Sequence, residues 1–180
     1  MQAIMKDTTP VRLSEQEAVD CDVWSDGCNG GYSENYFYMS YEIGSQSAAD
    51  YAYEAQDKPC RNQRGKMIES RAIEFEFVEF TEGDADNIRR IKEKVSEGPM
   101  TVYVAAGNAC WRWYKSGKIT RDNPCFYFLP DDTQIDHAVA LVGYDGDDHW
   151  IIQNSWDDDW GDGGFMEIDM ENGAGLFGIN

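Results

Sequence analysis

Residues Asp136 to Gly164 hold a histidine and an asparagine on opposite arms of one predicted hairpin. The arms are apolar runs, Ala138 to Tyr144 and His149 to Gln153, and Asp145-Gly146 between them is a strong turn signal. A turn centred between Asp145 and Gly146 sets His137 directly across from Asn154. A longer loop slips the register by a residue or two, and both side chains still share one end of the ribbon, within roughly 8 Å of one another. An imidazole beside a neutral amide suits proton shuttling: the amide fixes the ring, and the second ring nitrogen stays free for a nucleophile. On spacing alone, a structural hydrogen-bonded pair at a strand end is the more common outcome.

The elements that must position this pair follow from period and punctuation. Ser14 to Glu17 reads S-x-x-E, a capping box that opens a short helix. Residues Tyr32, Tyr36, Met39 and Ile43 line one helical face, expected to be core, closed by Gly44. Ile73, Phe75 and Phe77 alternate with Glu74 and Glu76 as a strand does and mark a crossing into a second lobe. Ile88, Ile91 and Val95 then repeat at helical spacing until Gly98-Pro99. Strands are expected over Met100 to Ala105, Trp113 to Ile119, the hairpin, and Gly164 to Asp169. The predicted class is α+β, with a partly helical lobe over 1–70 and a β-rich, barrel-like lobe over 71–180 that carries His137 and Asn154.

Composition narrows the functions. With 180 residues and 42% hydrophobic content there is material for one domain or two small lobes, but no apolar run of transmembrane length and no signal peptide. A formal charge of −19 opposes a nucleic-acid partner, since phosphate contacts need clustered Lys and Arg. The acidity suits solubility or attraction to basic segments of substrates or partners. Asp157, Asp158, Asp159 and Asp162 form a carboxylate run that lacks the EF-hand's twelfth-position glutamate. It reads as a solvated acidic loop, and neither a metal nor a cofactor is expected.

Seven segments in order, from residue 13 to 165, carry a resemblance: LSEQEAVDC (13–21), GCNGGY (27–32), Tyr51-Ala52-Tyr53 before Cys60, GPMTVYVAAG (98–107), WYKSGKI (113–119), DHAVALVGY (136–144) and WIIQNSWDDDWGDGGF (150–165). The chain resembles the papain-like cysteine peptidases. The resemblance implies a two-lobed papain-like fold, peptide-bond hydrolysis through a Cys, His and Asn set, and a peptide or protein substrate. It assigns His137 the thiol's proton and Asn154 the ring's other N–H. Trp156 would shield that hydrogen bond from water, and Trp160 resembles a tryptophan on the primed side of the cleft. Gly30 and Gly31 match a stretch that pairs with extended peptide. Tyr32, Tyr103 and Ala138 match pocket positions, and Asp136 flanks the histidine.

The family's nucleophile segment, with its oxyanion-hole glutamine, would precede Met1, and Met1 to Lys6 resembles the last turns of the helix that the nucleophile starts. The chain also stops short of the usual tail at Asn180. The expectation is therefore a peptidase domain supplying His and Asn but not Cys, inactive as this chain alone. The alternative is a non-catalytic papain-like subunit that binds partners. Ala109-Cys110-Trp111 echoes the letters around the nucleophile, but its region belongs to the barrel in the family. The resemblance implies a Cys21–Cys60 disulfide, worth roughly 4 kcal/mol in the chain-entropy model. Phe177 stands where the family's last cysteine would be, which reassigns Cys125 to Cys110, at roughly 3 kcal/mol. Cys28 is left as the odd thiol, free or paired to a segment outside the chain. Paired cysteines imply an oxidising compartment, lysosome-like or secreted.

Overall fold

The structure, a computed structural model, describes residues 2–3, 11–63, 75–78, 84, 86–125, 134–171 and 176–179. Backbone contacts divide the chain into two units, Met1–Glu76 and Phe77–Asn180.

In the first unit, β1 (Gln2–Ala3) pairs antiparallel with β2 (Val11–Arg12), followed by α1 (Glu15–Cys21), a 3₁₀ turn (Gly27–Asn29) and α2 (Ser33–Ile43). Ser14 caps α1 by accepting the Glu17 N–H at 2.9 Å. The reciprocal half of the capping box is not made. Glu17 is fully buried and its Oε2 accepts the Gln46 N–H at 2.8 Å, while the Ser14 N–H donates to the Gln46 carbonyl at 3.0 Å. A second chain segment has thus captured both capping groups. The core is built from Cys21, Tyr36, Met39 and Tyr51, with Ala18 and Phe37 against it. Two members of the expected apolar face are instead exposed, Tyr32 at 64% and Ile43 at 51%. They stand at the helix ends, and only the central turn of α2 meets the core. Gln2–Ala3 also departs from the helical reading of Met1 to Lys6, whose other residues lie outside those described. A helix of a few residues is marginal, and pairing with β2 satisfies the same backbone groups.

In the second unit come α3 (Asn87–Glu97), β3 (Met100–Val104), α4 (Ala109–Arg112), β4 (His137–Asp145), β5 (His149–Gln153) and β6 (Phe165–Asp169). The four strands form one antiparallel sheet in the order β3-β4-β5-β6. Strand periodicity decides its faces: Trp150 and Ile152 of β5 and Met166 and Ile168 of β6 are buried in one core that also takes in Ile91 and Val95 of α3, whereas the alternate positions point outward.

Two expectations are corrected here. Trp113 to Ile119 is not a strand: Trp113, 78% exposed, is the C-cap of α4, and only Ile119 makes a parallel bridge, to Ile168. The Asn108 side chain, accepting the Trp111 N–H at 2.9 Å, nucleates a helical turn there first. Residues 75–78 form no strand and Phe77 is 65% exposed, while Ile73 and Glu74 lie outside the described residues. Alternation alone does not make a strand of this segment. The hairpin loop is longer than two residues, with Asp145 paired to His149 across Gly146, Asp147 and Asp148. An irregularity between Leu141 and Gly143 takes back one residue of the slip, so that Ala140 pairs with Gln153.

Candidate active site

His137 begins β4 and Asn154 follows β5, so both sit at the end of the ribbon away from the hairpin loop. Continued past its last pair, the ladder sets Asn154 opposite Val139, which places it diagonal to His137 on the same face. A diagonal separation is closed by side chains: His137 Nε2 lies 2.8 Å from Asn154 Oδ1. The amide's orientation is fixed independently, because the Ser155 N–H donates to the same Oδ1 at 2.8 Å. An oxygen accepting from a backbone N–H also accepts from the ring, so Nε2 carries the proton and Nδ1 stays free. The Asn154 backbone N–H donates to the Gly164 carbonyl at 2.9 Å. Its Nδ2 is buried with no hydrogen-bond partner among the described residues.

Trp156 packs over the imidazole, with ring centroids 5.1 Å apart and planes inclined by 37°. Its own outer part is exposed. Trp160 stands further along the same loop. It is buried in the core, donates Nε1–H to the Trp111 carbonyl at 3.1 Å, and meets Trp156 at 5.9 Å. That buried hydrogen bond turns the indole inward, which leaves Trp156 as the exposed one of the two. The loop bearing both tryptophans needs left-handed backbone at Asp157 (φ 62°) and at Gly161, where a Cβ would lie 2.4 Å from the Phe165 carbonyl.

The β3 side fixes the histidine's backbone. His137 pairs with Val104, and Ala138 with Tyr103. Asp136 donates its N–H to the Val104 carbonyl at 3.1 Å and accepts the Ala106 N–H through Oδ1 at 2.7 Å. Among the residues singled out from sequence, His137, Asn154 and Trp156 are thus in contact, and Tyr103, Ala138 and Asp136 adjoin them on the sheet. Gly30, Gly31 and Tyr32 form a group of their own in the first unit. Gly30 has φ 114° and open space where a Cβ would stand, whereas a Cβ on Gly31 would lie 2.2 Å from Ser25 Oγ. Sequence reasoning missed Trp111. Its ring lies 6.3 Å from that of His137 and nearly perpendicular to it, and no periodicity singles out a tryptophan in a four-residue helix.

Cysteine pairing is Cys21–Cys60 and Cys110–Cys125. Cys28 is exposed and free, its N–H on Asp57 Oδ1 at 2.7 Å. Partial desolvation, then the charges of Asp57 and Asp20, push its thiol up, which is the reverse of thiolate activation. Asp157, Asp158, Asp159 and Asp162 are exposed, and among the described residues no group of three or more His, Cys, Asp or Glu is placed to hold a metal ion. No helix among them is long and apolar enough to cross a membrane.

A family model described as "Papain family cysteine protease" matches residues 1–179. The chain is 33% identical over 177 residues to "Cysteine endopeptidase Rep1" of Oryza sativa subsp. japonica, covering 94% of this chain and 44% of that protein. It is 32% identical over 185 residues to "Cathepsin L1" of Drosophila melanogaster, covering 97% and 47%. The chain spans about half the length of these curated relatives. Among solved structures it is similar to the bromelain protease from Ananas comosus in complex with the E64 inhibitor, with a TM-score of 0.73, 29% identity, and coverage of 97% of this chain and 77% of that one.

Proposed function

Because the chain belongs to the papain family of cysteine proteases, we propose that it is the His- and Asn-bearing part of a cysteine-type endopeptidase. The observation that carries this reading is the 2.8 Å contact from His137 Nε2 to Asn154 Oδ1, with Ser155 as second donor to that oxygen. It leaves Nδ1 as the proton-accepting atom. In the proposed reaction Nδ1 takes the proton of a cysteine thiol, and the thiolate attacks the peptide carbonyl carbon. Collapse of the tetrahedral intermediate breaks the C–N bond while Nδ1–H protonates the leaving amine. Water, deprotonated at Nδ1, then hydrolyses the thioester and returns the thiol.

The thiol itself comes from outside the five cysteines of this chain. Four are in disulfides, and the surroundings of Cys28 disfavour a thiolate. Cys28 is then the attachment point for the segment that brings the nucleophile. In the first unit Gly30, Gly31 and the adjoining Tyr32 bind extended peptide backbone; in the second, Tyr103 and Ala138 flank the histidine on the sheet as substrate-contacting positions, with Asp136 holding the strand that carries it. Trp156 screens the ring from water. The two disulfides support a lysosome-like or secreted location.

The test is a mass measurement and a thiol-trapping epoxide on the native protein. The reading expects a mass above 20.5 kDa, or a second disulfide-linked chain, together with peptide hydrolysis that the epoxide abolishes. Native material of that same mass, unlabelled and without hydrolysis, overturns it.

A further inference from the structure

The two rings that touch His137 belong to a closed circuit. His137 meets Trp111 at 6.3 Å and Trp156 at 5.1 Å, and both tryptophans meet Trp160, at 5.7 and 5.9 Å. Trp156 is the exposed member and Trp111 is fully buried. Trp111 is also held from behind by Phe177 at 5.2 Å. Its backbone N–H is capped by Asn108 and its carbonyl accepts from Trp160 Nε1. The residue before it, Cys110, is in the disulfide to Cys125, closing a loop of separation 15. We propose that Trp111 is a positioning residue for His137, and that the Cys110–Cys125 disulfide locks the α4 turn so that the indole stays edge-on to the imidazole. This rests on the reading of His137 as the proton carrier.

The mechanical reason is that one hydrogen bond to Asn154 leaves the imidazole free to rotate about the Nε2 to Oδ1 line. A ring that must present Nδ1 in one direction needs further contacts that restrict its rotation. Trp156 supplies one at 5.1 Å, and Trp111, nearly perpendicular to the imidazole at 6.3 Å, supplies a second. The buried Nε1 of Trp111 has no hydrogen-bond partner among the described residues. An unpaired buried donor costs stability that phenylalanine would not cost, so the contact rather than the N–H accounts for the residue.

The test uses the native protein and reads the ring, not hydrolysis, so its outcome is separate from that of the peptidase reading. By ¹⁵N-labelled NMR, the His137 Nε2 proton is expected as a resolved, slowly exchanging signal. Trp111→Phe keeps an aromatic edge and should leave its exchange rate within about threefold. Trp111→Leu, with the β4–β5 amide signals unchanged, should raise it tenfold or more. Should Trp111→Leu fail to fold, the paired change Cys110→Ser and Cys125→Ser carries the test, since every ring remains and only the lock is released. Faster exchange there supports the proposal. A folded Trp111→Leu, or the paired serine variant, with the Nε2 proton exchanging as in the parent chain overturns it.

Discussion

Asp136 Oδ1 accepts the Ala106 N–H at 2.7 Å, which ties the residue before the histidine to the loop between β3 and α4. Gly107 lies beside this bond, and a Cβ there would stand 2.5 Å from Asp136 Oδ2. Asp136→Ala and Gly107→Ala should therefore break one and the same contact. Each is expected to lower stability by about 1 kcal/mol, the usual net worth of a hydrogen bond. Combined, they should cost hardly more than either alone, because groups sharing one interaction are not additive. Denaturant midpoints of the two single variants and the double one check this, and full additivity would refute it.

On the proposed reading, in protein that contains the nucleophile, Asn154→Ala should lower kcat more than it alters KM, because the amide would orient a group that acts in the transition state. The loss should be smaller than for His137→Ala, where the roughly 10²- to 10⁴-fold contribution of proton transfer disappears. Steady-state kinetics on one peptide substrate decide it. Equal losses for the two variants would mean that Asn154 does more than hold the ring.

The hairpin and the pairing of His137 with Asn154 were legible because apolar runs on either side of an Asp-Gly turn are local signals. Even a wrong loop length left both side chains at the same end of the ribbon. What was not legible depended on partners distant in sequence. Glu17 satisfies the capping pattern, yet Gln46 takes its carboxylate. Trp113 to Ile119 has strand letters, yet Asn108 starts a helical turn ahead of it. Trp160 was read by its motif neighbours, and its direction was set by a carbonyl at Trp111. Local pattern places a residue on an element, whereas tertiary hydrogen bonds decide where its side chain points.

Asp157 occupies left-handed backbone, φ 62°, a conformation that glycine adopts without steric cost. Asp157→Gly should relieve that conformation and stabilise the chain by up to about 1 kcal/mol, the entropy of the unfolded glycine offsetting part of the gain. Asp157→Val should do the opposite, by about 1 to 2 kcal/mol, because a β-branched side chain is poorly tolerated there. Thermal unfolding of the two variants gives the sign directly. A stabilising valine would contradict the strain.

Asp148 is held down to about 2, first by the hydrogen bond from Lys118 Nζ at 2.7 Å and then by His149. A carboxyl with a depressed folded value stabilises the fold above its ordinary titration range and loses that contribution as the pH falls toward 2. Lys118→Met should therefore move the Asp148 titration upward, and NMR titration of its carboxyl carbon reads the midpoint. An unmoved midpoint would mean that Lys118 is not the cause.

Glu17 has the opposite sign. Burial pushes its carboxyl up, against the hydrogen bonds from the Gln46 backbone and side chain, which favour the charged form. A carboxyl with a raised folded value contributes stability below its ordinary titration range, and that contribution is lost as the pH climbs through the folded value. Glu17→Gln keeps an acceptor for the Gln46 N–H and removes the charge that burial opposes. Its stability relative to the parent chain should improve between pH 4 and pH 7, with the parent's downward slope over that range flattened in the variant. Chemical unfolding at the two pH values measures it. If the glutamine variant is instead weaker at pH 7 than at pH 4 relative to the parent, the hydrogen bonds from Gln46 outweigh desolvation, and Glu17 is a charged structural anchor.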